Sequence, residues 1–447
     1  MPDEDQVKLV PHEIIEMLGV PLGDDAFVAA HVERKLLCRL EKIIGTLTDF
    51  EDSQAASFLL SFSIVRAVHY MRTTPLAQWE KHAETFDKMI RVAIEKILGT
   101  PLSDTAYTQA CLTPKLGGLG LRKVTEHAEF AYFASWFEAR NTSKEPWWDA
   151  PDGFDGEYDT QSSASFKFDV ERHEALMQYF TESKNARGAQ RLKRCAQPHA
   201  NNFITAVPSN DDGKGAKIRP LLFRTAVQYR LGVPLLKEEI DCPVCMQKKI
   251  DISGDHATCC SRTGDLVSRH NALRDMVDNL ASQGTLSPQL EKKGILGSQP
   301  GRRPGDVTIP NWQHNKSLAI DVAITCPFTK NNMSKDSPCE AYAENAKHKK
   351  YDGDFKGTDY MFAAVVWEST GAINSEGEEV LRQIMRFAAK RQGREHSSFC
   401  GRQWALFSCC LQRSVAKQLL MRIDGQNDKV HDVSKLLVEP NLDLADN

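Results

Sequence analysis

The chain has 447 residues, room for two or three domains of ordinary size, and is 41% hydrophobic and 26% charged. No apolar run approaches the roughly 18 residues that cross a bilayer, and the acidic, polar start MPDEDQVKLV reads as neither a signal nor a transit peptide. A net charge of −4 argues against a protein that coats nucleic acid with a global positive field, although a local patch of Lys and Arg suffices for phosphate contacts.

In chain order, residues up to about 140 read as helical. Apolar residues at three-to-four spacing (Val28, Val32, Leu36, Leu40, Ile43, Ile44, Leu47) predict an amphipathic helix over Phe27 to Leu47, with Asp24 or Asp25 as its cap. A second helix is expected from about Ser53 to Arg72 and a third from Leu76 to Leu98. The glycine-rich turn LTPKLGGLGLR (112–122) follows, then a helix of small and aromatic residues, HAEFAYFASWF. Residues 141–165 are rich in Gly, Asp, Ser and Pro without a period and read as a linker or surface loop. A helical pattern returns from Asp169 to Cys195. After the cysteine-rich stretch, the short runs DVTIP, LAIDVAIT and FAAVVWEST read as strands between helical segments. The end, from about Gly425, is polar and acidic and reads as frayed. Two basic clusters stand out: Arg187, Arg191, Lys193 and Arg194, then Lys347, Lys349 and Lys350. A solvated helix face is the commoner meaning of such runs.

Of twelve cysteines, four crowd into CPVCMQKKIDISGDHATCC, 242–260. Cys242 and Cys245 have the CxxC spacing of a tight knuckle, and His256 with Cys260 completes three sulfur ligands and one nitrogen, a closed structural zinc site. Cys259 is the reserve ligand. The remaining thiols are read as reduced and mostly buried.

Downstream lie RHNALRD (269–275), Glu291, GRRPGDV with Asp306, and LAIDVAIT with Asp321. Two strands joined by a turn around 311–317 bring Asp306 and Asp321 near one another, although spacing alone does not fix that geometry. Phosphodiester hydrolysis needs a hard divalent cation, usually Mg²⁺, on a few carboxylate oxygens, with a nearby Lys for water or phosphate. A carboxylate in an apolar strand, as at Asp321, is costly unless paired or metal-bound. The bland alternative is a strand-end Asp that caps a neighbouring loop.

From Cys242 onward, about 110 residues resemble the C-terminal endonuclease of non-LTR retrotransposons that carry a restriction-enzyme-like nuclease, a branch of the PD-(D/E)xK superfamily. The resemblance rests on Cys242, Cys245, His256 and Cys260, on Arg269-His270-Asn271, on Arg303-Pro304-Gly305-Asp306 with Asp321 fourteen residues further on, and on Lys347 with Tyr351 one turn away. It implies Asp306, Asp321, Lys347, Tyr351 and Glu291 as catalytic residues, with Glu291 the acid carried on a helix. Arg269, His270, Arg303 and Lys350 are the implied nucleic-acid contacts. Lys350 is the alternative catalytic lysine. Two departures matter: Gly305 is inserted before Asp306, so the start of the strand should bulge, and Ala323 stands where many relatives have Lys.

LGVPLG (18–23), FLLSFSIVRAVHYMRTTP (58–75) and the glycine turn resemble, more weakly, the end of a reverse transcriptase and its thumb. The palm aspartates are missing, and Gly23-Asp24-Asp25 reads as a helix start. HANNFITAVPS to YRLGVP resembles the linker of the same elements, with Lys214, Lys217, Arg219, Arg224 and Arg230 suited to phosphate, or simply a connecting domain.

Together these readings imply an α+β multidomain chain. A thumb-like helical region without a palm spans 1–140, a linker 141–168, a helical basic connecting region 169–240, and a zinc knuckle 241–262. An α/β restriction-endonuclase-like core spans 263–395, and a C-terminal helix with an acidic tail spans 396–447. The implied function is Mg²⁺-dependent nicking of DNA by a truncated or domesticated retroelement protein. Such a protein would be nuclear and non-membrane, use structural Zn²⁺, and have DNA, element RNA and a separate reverse transcriptase as partners. The alternatives are a degenerate nucleic-acid-binding relic and an unselected remnant.

Overall fold

The computed structural model describes residues 14–142, 160–209, 215–260, 264–296 and 301–423. The chain is α+β, mostly helical with small sheets. It divides into two compact units, 1–113 with 118–176 and 114–117 with 177–447.

Among its described residues the first unit is helical apart from a hairpin not expected from the sequence. Strands β1 (Ile14–Met17) and β2 (Val20–Gly23) pair antiparallel around Leu18 and Gly19, whose φ values of 52° and 84° suit the tight hairpin turn. Asp24 follows the hairpin and caps the next helix, its Oδ1 accepting the Phe27 N–H at 2.8 Å. The expected first helix runs as Asp25–Val32, a π-helical turn Glu33–Leu37, and Cys38–Thr48. The expected second helix is broken into Ser53–Ser61 and Val65–Thr73. At the break the Ser61 hydroxyl donates to the Phe58 carbonyl at 2.7 Å, a local bond that competes with helical pairing. Helix Glu80–Leu98 ends at Gly99, φ 70°, a left-handed cap that suits glycine. Helix Asp104–Cys111, not foreseen, is capped by Ser103. The following helix, Val124–Thr142, is capped from a distance. Buried Asp87 accepts the Val124 and Thr125 N–H groups and the Thr125 hydroxyl, and burial raises its pKa against those bonds. Trp79, Phe86, Leu40, Leu60, Met71 and Ile94 fill the core.

Of the expected linker, 143–159 lies outside the described residues, and its last part is helical: Gln161–Glu182 begins inside it. The polar composition hid a buried stripe at helical spacing, Ser165 and Asp169, the latter paired with Arg122 at 2.7 Å.

In the second unit, helices Ala186–Cys195 and Pro220–Leu231 precede a small hairpin, β3 (Ile240–Asp241) and β4 (Lys249–Ile250). Helix Asp265–Gln283 follows. The main sheet has four strands, β5 (Gln289–Leu290), β6 (Val307–Gln313), β7 (Lys316–Thr325) and β8 (Tyr360–Glu368), side by side in that order. β5, β6 and β7 are antiparallel, and β7 and β8 are parallel. The β7–β8 crossover carries Pro338–Tyr342, a π-helical turn Ala343–His348 and Lys349–Phe355.

One sheet face presents Val307, Ile309, Leu318, Ile320 and Val322 to Leu273 and Val277, to Ile384 and Met385 of helix Ser375–Arg391, and to Phe407 and Leu411 of helix His396–Ile423. The other face of β7 alternates Ala319, Asp321 and Ala323, lined up beside Ala364 and Val366. These small residues leave room for the crossover helices and for one carboxylate.

The first basic cluster is not a solvated face. Arg194 is buried against Glu368 (2.8 Å), Arg187 pairs with Asp255 at 2.6 Å, and Arg191 is buried. Arg230, expected to suit phosphate, is buried too and donates to the Ala200 carbonyl. Lys214 and the tail from about Gly425 lie outside the described residues.

Candidate functional site

The site is built on strand register. Val307 pairs with Ile320, so Asp306, one residue before β6, stands opposite Asp321. Its N–H donates to the Ile320 carbonyl at 2.7 Å, and the Val322 N–H returns a 2.7 Å bond to its Oδ2. On the other side Leu290 pairs with Val307, which sets Glu291 opposite Asp306; the Glu291 N–H donates to the Asp306 carbonyl at 2.9 Å. Three acids from three neighbouring strand positions thus form one row. Strands spaced by roughly 4.8 Å give cross-strand neighbours that share a face.

Asp321 lies mid-strand, between Ala319 and Ala323, and does not cap a loop. Burial raises its pKa and the Asp306 charge adds to that, while Lys347 opposes it. The Lys347 ammonium contacts Asp321 Oδ2 from the π-helical turn, and its own pKa is raised because that pairing outweighs burial. Lys350 is exposed and lies over the Tyr351 ring at 4.6 Å, so of the two candidate lysines Lys347 is the one on the acid. Tyr351 is buried against Phe362 and Phe355.

His270 Nε2 lies 3.1 Å from Asp306 Oδ2, and that hydrogen bond raises the imidazole pKa against the opposing effect of burial. This histidine is spent on Asp306, the middle acid of the row. Arg269 is buried and donates to Gln418 at 2.8 Å, which is at odds with a role in gripping backbone phosphate. Glu291 is not on a helix, as expected, but just past the short strand β5, and its carboxylate bridges Arg274 (2.8 Å) and Arg303. Arg274 was missed in the sequence; it stands four residues after His270 on one helix face, but a lone helical arginine carries no signature.

The paired ladder starts at Val307, and the Asp306 N–H reaches the Ile320 carbonyl, one residue out of that register, so the entry to β6 is irregular, in line with the inserted Gly305. A Cβ at Gly305 would meet Ala319 Cβ at 3.0 Å, so glycine lets this segment approach β7 closely. A second irregularity lies further on, where four steps of β6 (309 to 313) run against two of β7 (318 to 316).

Could the row hold a cation? Asp321 Oδ2 is buried, and among the described residues its ion-pair partner is the Lys347 ammonium. A buried carboxylate oxygen of this kind suits a hard cation.

The second cluster is formed by the β3–β4 hairpin and the turn behind it. Cys242, Cys245, His256 and Cys260 bring one ligand atom each within 4.8 Å of one another. Cys242 Sγ is 3.9 Å from Cys260 Sγ, and Cys245 Sγ is 3.3 Å from His256 Nε2. Zinc–sulfur bonds of about 2.3 Å in a tetrahedron set sulfurs about 3.8 Å apart, so the cluster fits zinc. Two bonds shape the knuckle: the Cys242 N–H to the Lys248 carbonyl and the Met246 N–H to the Cys242 carbonyl. The backbone N–H of Gln247, helped by His256, holds the Cys245 thiol down at about 6. Cys259 points elsewhere, toward the Asp255 and His256 carbonyls and Cys326. Beside the knuckle an open groove of about 1040 Å³ is lined by Arg187, Lys248, Lys249, Asp255, His256 and Lys330. None of Asp306, Asp321 and Lys347 lines it.

No helix among the described residues is long and apolar enough to cross a membrane. No family model matches the chain, and no curated protein matches it.

Proposed function

We propose that the second unit is a metal-dependent DNA endonuclease of the restriction-enzyme kind, stapled by zinc. In this reading the chain corresponds to the C-terminal part of a retroelement protein. The observation that carries the reading is the in-register row Glu291–Asp306–Asp321 with Lys347 seated on Asp321. Asp306 and Asp321 are the residues that would hold Mg²⁺. When bound, the ion would stabilise developing charge on the phosphate and lower the pKa of water. Lys347 would turn from Asp321 to the scissile phosphate or the attacking water. His270 holds Asp306 in place through its 3.1 Å contact. Lys350, exposed on the crossover helix over the Tyr351 ring, offers a cation for backbone contact, while Tyr351 itself is buried. The groove beside the knuckle, with Lys248, Lys249 and Lys330, suits a nucleic-acid strand. The first unit would act as a thumb-like grip, with nuclear DNA and element RNA as its ligands.

The test is nicking of supercoiled plasmid with Mg²⁺ by the wild type, Asp306→Ala and Asp321→Ala. Loss of nicking by at least about 100-fold in both variants is expected, since each removes an oxygen ligand of the ion. Equal nicking by all three would overturn the assignment.

One observation favours a second reading. His270 and the Val322 N–H both engage Asp306 Oδ2, and Lys347 engages Asp321, so the row is closed on itself. A binding relic that holds nucleic acid without cutting it would keep this arrangement. Duplex binding without nicking by the wild type would select that reading.

A further inference from the structure

Glu291 is held in an unusual way. Its backbone adopts φ 44°, a left-handed conformation that is strained for a residue with a Cβ. Such a conformation in a site residue points to a function that compensates it. Its Oε1 accepts from Arg274 Nη1 at 2.8 Å, and its Oε2 accepts from Arg303 Nη1. One carboxylate thus offers a separate oxygen to each of two guanidiniums. The two non-bridging oxygens of a phosphodiester present the same pair of acceptors with the same charge.

The two arginines differ in how firmly they are placed. Arg274 is largely covered, and Asp275 holds its far side at 2.9 and 2.7 Å. Arg303 is 46% exposed and Glu291 is 40% exposed, so solvent and any ligand reach the bridge from the Arg303 side. Around them Lys292 lies over the Tyr360 ring, and Arg302 pairs with Asp354. The Glu291 backbone pairs with that of Asp306, beside the acids proposed to hold the metal.

We propose that Glu291 occupies, in the free protein, the seat of a phosphodiester between Arg274 and Arg303, and that a DNA backbone displaces it on binding. This rests on the nucleic-acid reading given above. The seat discriminates by charge: an incoming phosphate must compete with an internal acid, so weak or transient contacts are disfavoured and only a backbone held elsewhere as well can open it. Displacement moves one negative charge away from the arginines and brings another in.

The test measures binding, not cleavage. Fluorescence anisotropy with a short labelled duplex in EDTA compares the wild type, Glu291→Gln, the double variant Arg274→Ala/Arg303→Ala, and the triple variant. Thermal unfolding of each confirms that the fold is kept. Glu291→Gln is expected to bind roughly five- to tenfold tighter at moderate salt, with the gain shrinking as salt rises. The gain should vanish when both arginines are absent. Inorganic phosphate at constant ionic strength should compete more strongly with duplex on Glu291→Gln than on the wild type if the seat takes a free phosphate too, and equally on both if it requires a backbone anchored at several points. Duplex binding that Glu291→Gln leaves unchanged or weakens, or a gain that persists without the arginines, overturns the proposal and leaves the nuclease reading standing. Failure of both the wild type and Glu291→Gln to bind duplex at all overturns both.

Discussion

Cys259 and Cys260 are neighbours with opposite fates. Cys260 joins Cys242, Cys245 and His256, while Cys259 turns toward Cys326. Zinc content, measured by metal analysis, should therefore fall in Cys242→Ser and Cys260→Ser and stay at the wild-type level in Cys259→Ser. Gly305→Ala probes a second single-residue constraint. The added methyl would crowd Ala319, and a loss of about 1–3 kcal/mol in chemical denaturation is expected. The ligand set was legible in the sequence because CxxC followed by His and Cys is a spacing with few other uses. The Gly305 contact was not legible, since closeness to Ala319 depends on pairing between segments that only the folded sheet brings together. The same limit hid Arg274 and placed Glu291 on a helix. Neither residue has a local signature, and their meeting depends on how helix Asp265–Gln283 lies beside the end of β5.

Among the elements, the β7–β8 crossover decides where Lys347 sits. Beside it His348 is gripped by Asp352 (2.8 Å) in its own helix and by Glu376 (2.8 Å) in helix Ser375–Arg391, with the Phe362 ring against it. Burial lowers its pKa, but the two carboxylates outweigh burial and the net shift is upward. A histidine whose pKa is raised on folding contributes stability that is fully present below its unfolded value of about 6.5. That contribution disappears as pH rises through the folded value. The wild type should therefore lose stability relative to His348→Gln as pH climbs above neutral, read as denaturation midpoints across pH. A difference that does not change with pH would contradict this. The buried Arg194–Glu368 pair ties helix Ala186–Cys195 to the end of β8. Arg194→Ala leaves a buried carboxylate without its cation and should cost about 3–5 kcal/mol. Here the sequence misled: a run of arginines suggested a solvated face, because local composition says nothing about an acid 174 residues away. The three strand runs, by contrast, were readable from their alternation and β-branched content, and each overlaps its observed strand to within three residues at either end.

At the scale of the molecule, two compact units carry separate cores. The zinc cluster belongs wholly to the second, and apparent structural zinc affinities of roughly 10–16 kcal/mol are common for such knuckles. Removing the metal with a strong chelator should lower the unfolding transition of the second unit and leave that of the first in place, which calorimetry can resolve as two separable events. A single transition shifted as a whole would contradict this. The helical character of the first unit was evident from apolar periodicity. Its opening hairpin was not, because four-residue strands fall below the length at which alternation can be counted.

The uneven stretch of β6, four steps against two of β7, carries a consequence for how this chain tolerates insertions and deletions. Two extra residues keep side chains on their original faces, because strand alternation has a period of two. An odd insertion between the irregularity and Asp306 would instead turn that carboxylate toward the apolar layer and erase the row, whereas changes of any length between Glu291 and Asp306 leave the pairing of β6 with β7 untouched. Related chains that retain the row should therefore vary freely in length on one side of Asp306 and only by even steps on the other.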